Sequence, residues 1–208
     1  SLVRLDLGNS WHSGRPIVEE IKLRFPVTFE LAVLTVMVSV LIAIPVGVIS
    51  ALRQDSAVDY VFRAVSIFGL TMPSFWTGTL ILFCLVVWFN WFPPMGFTGF
   101  FENPLVNLQQ VMWPALAVGY YLSAYLARMT RSTMLEVLRQ EYIRTAWSKG
   151  LRERAVVIRH TMKNMLLPVV TLAGIQIAVA LEGSVVAESI FMLPGMGGFE
   201  VLKELQIG

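Results

Sequence analysis

From Ala64 to Phe92 the chain carries no charged side chain, and from Val27 to Leu52 it carries only Glu30. A helix needs about 20 mainly apolar residues to cross a hydrocarbon core of about 30 Å. Stretches this long and apolar therefore set the chain in a membrane and exclude a soluble domain. Composition agrees, since 56% of the 208 residues are hydrophobic and only 14% are charged, where a globular domain carries about 25% charged residues. So few charges cannot cover a water-facing surface.

Four stretches qualify as crossings, and the expected fold class is an all-α polytopic membrane protein. The first runs from Val27 to Leu52, opening after Pro26, a residue that suits a first helical turn, and closing at Arg53. The second, 64–92, is longer than a straight crossing requires, and Pro73 is expected to break or kink it. The third covers 111–127 and ends at Arg128; the fourth covers 166–187 with Pro168 in its first turn. Residues 1–26 then form a segment outside the membrane before the first crossing. An even number of crossings puts both ends of the sequence on one side.

Basic residues orient the crossings. The loops 53–63 and 128–163 share a side and hold eleven Lys and Arg residues, nine of them between Arg128 and Lys163, against five on the other side. The basic side is expected to be cytoplasmic, although four basic residues before the first crossing face only two after it. The aromatic residues Trp88, Phe89, Trp91, Phe92 and Trp113 then fall at the outer boundary, where amphipathic rings are enriched. The net charge of +2 conceals a local excess of +6 over 128–163, nine basic residues against Glu136, Glu141 and Glu153.

Little in the chain suggests catalysis. There is no H-E-x-x-H or G-x-S-x-G motif, His12 and His160 fall on opposite sides, and Cys84 is the only cysteine. That excludes an intrachain disulfide and leaves no expected catalytic or metal-binding residues. The absence of any Gly-Lys dipeptide excludes the phosphate-cradling G-x-x-x-x-G-K-[ST] loop within these residues, so ATP would have to be bound by a partner.

The basic segment is the most informative. Leu135, Leu138, Tyr142 and Ala146 are spaced as on one face of an amphipathic helix over 130–147. Gly150 interrupts it, and a second helical stretch, 151–165, leads into the fourth crossing. Such an elbow is either a positive loop lying on anionic lipid or a docking element for a cytoplasmic subunit.

Beyond these spacings, Tyr142-Ile143-Arg144-Thr145-Ala146-Trp147-Ser148-Lys149-Gly150-Leu151, followed by Asn164-Met165-Leu166-Leu167-Pro168-Val169-Val170-Thr171, resembles the cytoplasmic EAA loop of ABC importer permeases. The branch most similar imports dipeptides, oligopeptides, glutathione and nickel. Arg24-Phe25-Pro26-Val27-Thr28-Phe29-Glu30-Leu31, Ala127-Arg128-Met129-Thr130-Arg131-Ser132, Gly183-Ser184-Val185-Val186-Ala187-Glu188 and Pro194-Gly195-Met196-Gly197 extend the likeness over nearly the whole chain. The resemblance implies the ABC transmembrane type-1 permease fold over 27–208, incomplete at its C-terminus, with a coupling loop over 128–165 and six crossings in a full member. On that reading the sequence is a fragment lacking the first and last crossings.

The resemblance also implies a division of labour. Two ATPase subunits bind ATP and Mg and push the loop, a second permease subunit completes the pore, and an extracytoplasmic binding protein delivers the cargo in a bacterial or archaeal inner membrane. No cofactor in this chain and no nucleic-acid partner are expected; lipid is. The implied ATPase-coupling residues are Tyr142, Arg144, Thr145, Ala146, Lys149, Gly150 and Leu151, with Arg144 standing where other branches have Glu and Trp147 where this branch commonly has Arg. Peptide import by alternating access is the leading expectation. Import of nickel or glutathione in the same role, or a self-contained secondary transporter or channel, are the alternatives. The last of these would show inverted repeats or paired broken helices, and no repeat is visible.

Three residues are candidates for the translocation pathway. Glu182 either faces the substrate, makes a local ion pair or snorkels to the interface, because ionisable groups in a crossing avoid lipid. Glu188 either lines the pathway or holds the Gly-rich 194–198 segment by backbone hydrogen bonds. Pro73 is either a gating hinge or an ordinary kink. Glu30 is expected to complement the dipole of the first helix.

Overall fold

The computed structural model describes residues 16–197, and its regular structure is helical. The helices are α1 (Ile17–Leu52), α2 (Ala57–Thr71), α3 (Ser74–Phe89), α4 (Pro104–Leu138), α5 (Glu141–Ser148) and α6 (Glu153–Phe191). Within α6, Val156–Thr161 is wound as a π-helix.

Several boundaries differ from the sequence-based expectation, for identifiable reasons. Helix α1 begins at Ile17 rather than after Pro26. Its first turn holds Glu19 and Glu20, which favour the positive end of the helix dipole, and Glu20 pairs with Arg24 at 2.9 Å one turn on. Pro26 therefore lies inside the helix, and Glu30, half-buried in the fourth turn, is no cap. The break at Pro73 is as expected. Met72 is extended (φ −82°, ψ 125°), the conformation that a following proline ring imposes, and it separates α2 from α3.

Helix α4 starts well before the expected third crossing, at an Asn-Pro pair. Asn103 Oδ1 accepts from the Val106 N–H at 3.3 Å, and Pro104 occupies the first helical position, where it forfeits no bond. Pro168 lies inside α6 rather than in a first turn, since that helix already begins at Glu153.

Among the described residues, α1 and α6 are long and apolar enough to cross a membrane alone, and the broken pair α2–α3 makes a third candidate. The stretch expected as another crossing is helical within α4 but less apolar, carrying Trp113, Pro114, Tyr120, Tyr121 and Tyr125. Its inner face is nonetheless core: Val111, Ala115, Leu122, Leu126 and Met134 are all buried.

The chain forms two compact units. One comprises residues 1–35, 74–118 and 180–208; the other comprises 36–73 and 119–179. In the second unit Ala43, Leu126, Ala127, Met134, Val157, Met165 and Val169 form the core. Gly47 permits a close approach of α1 to α4, since a Cβ there would stand 2.6 Å from Thr130 Cβ and 2.8 Å from the Ala127 carbonyl oxygen. The buried Gln176 is fully engaged in this unit: its Oε1 accepts from Ser39 Oγ at 3.1 Å and its Nε2 donates to the Leu122 carbonyl at 3.0 Å.

In the first unit Asn107 Nδ2 donates to the Thr98 carbonyl and the Thr98 N–H donates to Gln110 Oε1, both at 2.9 Å. These bonds fold the 90–103 connection onto α4. On its outer side α3 exposes Phe83, Trp88 and Phe89.

Candidate functional site: a docking elbow and two polar anchors

The elbow belongs to the second unit. Helix α4 stops at Leu138, and Gln140 (φ −72°, ψ 149°) starts α5 afresh. This break replaces the continuous helix expected over 130–147 and resets its phase. The expected inward spacing holds for Ala146, which is buried, and for Leu135 and Leu138, which pack at the edge of the core, but Tyr142 is exposed and Ile143 takes the inward place beside Met134 and Val137. An eight-residue helix is marginal alone, so packing has to hold it. Ile143 and Ala146 are buried against Val156 in the π-turn, with Leu138 at the edge.

The opposite side of α5 is open. Tyr142, Arg144, Thr145, Trp147, Lys149, Gly150 and Leu151 are exposed, whereas Ala146 faces inward and serves the seating of the helix. Gly150 has φ +74° with open space where a Cβ would be, so glycine is there for the left-handed turn rather than for room. Its N–H donates to the Trp147 carbonyl at 2.9 Å, closing the elbow. Tyr142 is fixed by Asn164, whose Nδ2 donates to the phenol oxygen at 2.6 Å. Among the described residues Arg144 pairs with Glu141 alone, at 2.9 Å, and the two side chains are 70% and 85% exposed; exposed pairs contribute at most about 1 kcal/mol, so the guanidinium is available to another partner.

An anchor that sequence reasoning missed lies in the same unit. The Asp59 carboxylate, fully buried, accepts both arms of the Arg131 guanidinium at 2.8 Å, Arg63 Nη2 at 2.6 Å, the Asp55 N–H at 3.0 Å and the Ser50 hydroxyl. The forked Arg131 contact fixes orientation as well as distance. It ties the turn after α1 to α4, so the 53–63 and 128–163 segments meet at one end of this unit. Only the Asp59–Arg63 spacing, four residues on one helix, was visible in the sequence.

The first unit carries the other anchor. Glu188 is fully buried and accepts from Thr28 Oγ1 at 2.6 Å and from the Gly197 N–H at 2.7 Å. Thr28 Oγ1 in turn accepts from the Met196 N–H at 2.9 Å. A Cβ on Gly195 would collide with the Glu188 carboxylate, so glycine is required for this close approach. Glu188 thus holds the Gly-rich segment, the structural one of its two expected roles. Glu182, by contrast, is exposed, and Pro73 is exposed at the α2–α3 break. Glu182 and Glu188 belong to the first unit and Pro73 to the second.

Comparison with known proteins bears on what this arrangement serves. The family of binding-protein-dependent transport system inner membrane components matches residues 43–204. The chain belongs to that family. Relatives of this inner membrane component include the oligopeptide transport system permease protein AppB of Bacillus subtilis, 40% identical over 95% of this chain and 63% of its own length. The dipeptide transport system permease protein DppB of Escherichia coli is 36% identical over 92% of this chain and 63% of its own. The glutathione transport system permease protein GsiC of Pectobacterium atrosepticum is 36% identical over 95% and 62%. The chain therefore spans somewhat under two thirds of the length of these relatives. A crystal structure of an amino acid ABC transporter with histidines matches the fold with a TM-score of 0.65 at 16% identity, over 92% of this chain and 81% of that one. The inner membrane component thus has the helical type-1 permease fold and is a multi-pass membrane protein.

Proposed function

We propose that this inner membrane component forms half of the pore of an ATP-driven importer of peptides, working by alternating access. The observation that carries the proposal is the elbow: α5 is seated by Ile143 and Ala146 on Val156 while Tyr142, Arg144, Thr145, Trp147, Lys149 and Leu151 face outward. A short helix locked on one side and exposed on the other suits docking into a separate subunit. Lying freely on lipid would not require the seating. Force applied to α5 would pass through Val156 into α6, one continuous helix running to Phe191.

Partner ATPase subunits, binding ATP and Mg, would supply that force. A second permease subunit and an extracytoplasmic binding protein would complete the assembly, with the basic loops on the cytoplasmic side. Peptide is favoured as cargo because the relatives at 40% and 36% identity carry oligopeptide and dipeptide names. Glutathione, itself a tripeptide, is a second reading supported by the 36% identical relative named for it.

The assembled transporter in proteoliposomes tests the proposal. ATP enclosed on the ATPase side should drive uptake of labelled peptides delivered by the binding protein. Uptake that needs no ATP and follows an ion gradient would instead make this a secondary transporter.

A further inference from the structure

Glu182 is the only ionisable side chain between Asn164 and Ala187. In its unit α6 buries Ala180, Ser184, Ala187, Glu188 and Phe191 and exposes Glu182, Val186 and Ser189, so the carboxylate points away from the unit's own core. Among the described residues none forms a hydrogen bond or ion pair with it. It lies six residues, about 9 Å along the helix axis, before the Glu188 anchor. A bare carboxylate in a membrane span avoids lipid and faces water, a cavity or a cation.

The contrast with Glu188 sharpens the point. Two carboxylates sit six residues apart on one helix; one accepts from Thr28 Oγ1 and the Gly197 N–H, and the other accepts from none of the described residues. A carboxylate offers acceptors only and pairs best with a charged donor. We propose that Glu182 is a recognition post in the translocation pathway for a cationic group of the cargo, namely the amino-terminal ammonium of a peptide. The inference rests on the reading of the chain as a peptide importer and adds to it a specific contact and a charge requirement.

Transport by the assembled transporter in proteoliposomes, at saturating loaded binding protein, tests this. The probes are a labelled mixture of di- to pentapeptides with free amino termini and the same mixture N-acetylated. Glu182→Gln should lower uptake of the free peptides per ATP hydrolysed by about tenfold or more, the loss expected for one charge-assisted hydrogen bond. Glu182→Asp should recover most of it, and uptake of the acetylated peptides should be the same in Glu182→Gln and wild type. Equal uptake of free peptides by Glu182→Gln and wild type overturns the inference, as does an equal loss on both mixtures. A Glu182→Gln chain that no longer assembles with the second permease subunit also overturns it, making the carboxylate an intersubunit ion pair. If the wild-type transporter moves neither mixture, the peptide reading itself falls, and the inference with it.

Discussion

Replacing Ile143 by alanine should unseat the elbow without unfolding the protein. Ile143 is fully buried, yet its cluster is small: Ala146 and Val156, with Leu138 at the margin. Large-to-small changes in cores cost about 2–5 kcal/mol, and a cluster this small, open to water on one side, belongs near the lower end. The remainder of the unit has its own core around Leu126, Met134 and Met165, so the loss falls on α5, which at eight residues has little stability of its own. A local loss of about 2 kcal/mol is roughly a thirtyfold rise in the opening equilibrium. Hydrogen exchange in lipid nanodiscs, followed by mass spectrometry, should therefore show the α5 amides exchanging about thirtyfold faster while α4 amides between Leu122 and Met134 keep wild-type protection. Arg144→Ala, on the exposed face, should leave α5 protection unchanged. Wild-type exchange of α5 in Ile143→Ala would refute the claim that this contact seats the elbow.

Three further outcomes follow from the anchors. Glu188→Ala strips the acceptor from Thr28 and from the Gly197 N–H; buried donors left unpaired cost about 1–3 kcal/mol each. Protease cleavage within 193–197 should accelerate, and Glu188→Gln, able to accept only one of the two bonds, should fall between alanine and wild type. Gly47→Leu should prevent the α1–α4 approach at Thr130, an overpacking of about 1–3 kcal/mol or more, seen as a lower melting temperature in detergent than for Gly174→Leu, where a Cβ meets open space. Asp59→Asn weakens the contacts of Arg63 and Arg131 together, and Arg131→Met in that background should cost less than Arg131→Met alone, a non-additivity read from a double-mutant cycle of melting temperatures.

Much of the architecture was legible because it is local. Apolar length marked α1 and α6, and Pro73 marked a break through sterics that act on the neighbouring residue alone. The Tyr142–Leu151 series located the elbow, and the apolar spacing placed Leu135, Leu138 and Ala146 on the inner side; it put Tyr142 there in place of Ile143 because the restart at Gln140, which shifts the phase, leaves no local signature. The start of α1 was missed because Pro26 looked like a beginning, while the acidic first turn and the Glu20–Arg24 pair carry the helix back to Ile17. The two anchors were least legible. Glu188 could be read as an acid awaiting a partner, but Thr28 lies 160 positions away, and Arg131 lies 72 from Asp59. Such pairings exist only once the helices have packed.

Entry of ATP-derived force through the exposed face of α5 is open to a thiol-labelling experiment. In a Cys84→Ser background, Arg144→Cys should react readily with a water-soluble maleimide in the chain alone. It should be strongly protected once the purified ATPase subunits are bound. Equal labelling of Arg144→Cys in the free chain and in the assembled, ATP-hydrolysing transporter would contradict the account.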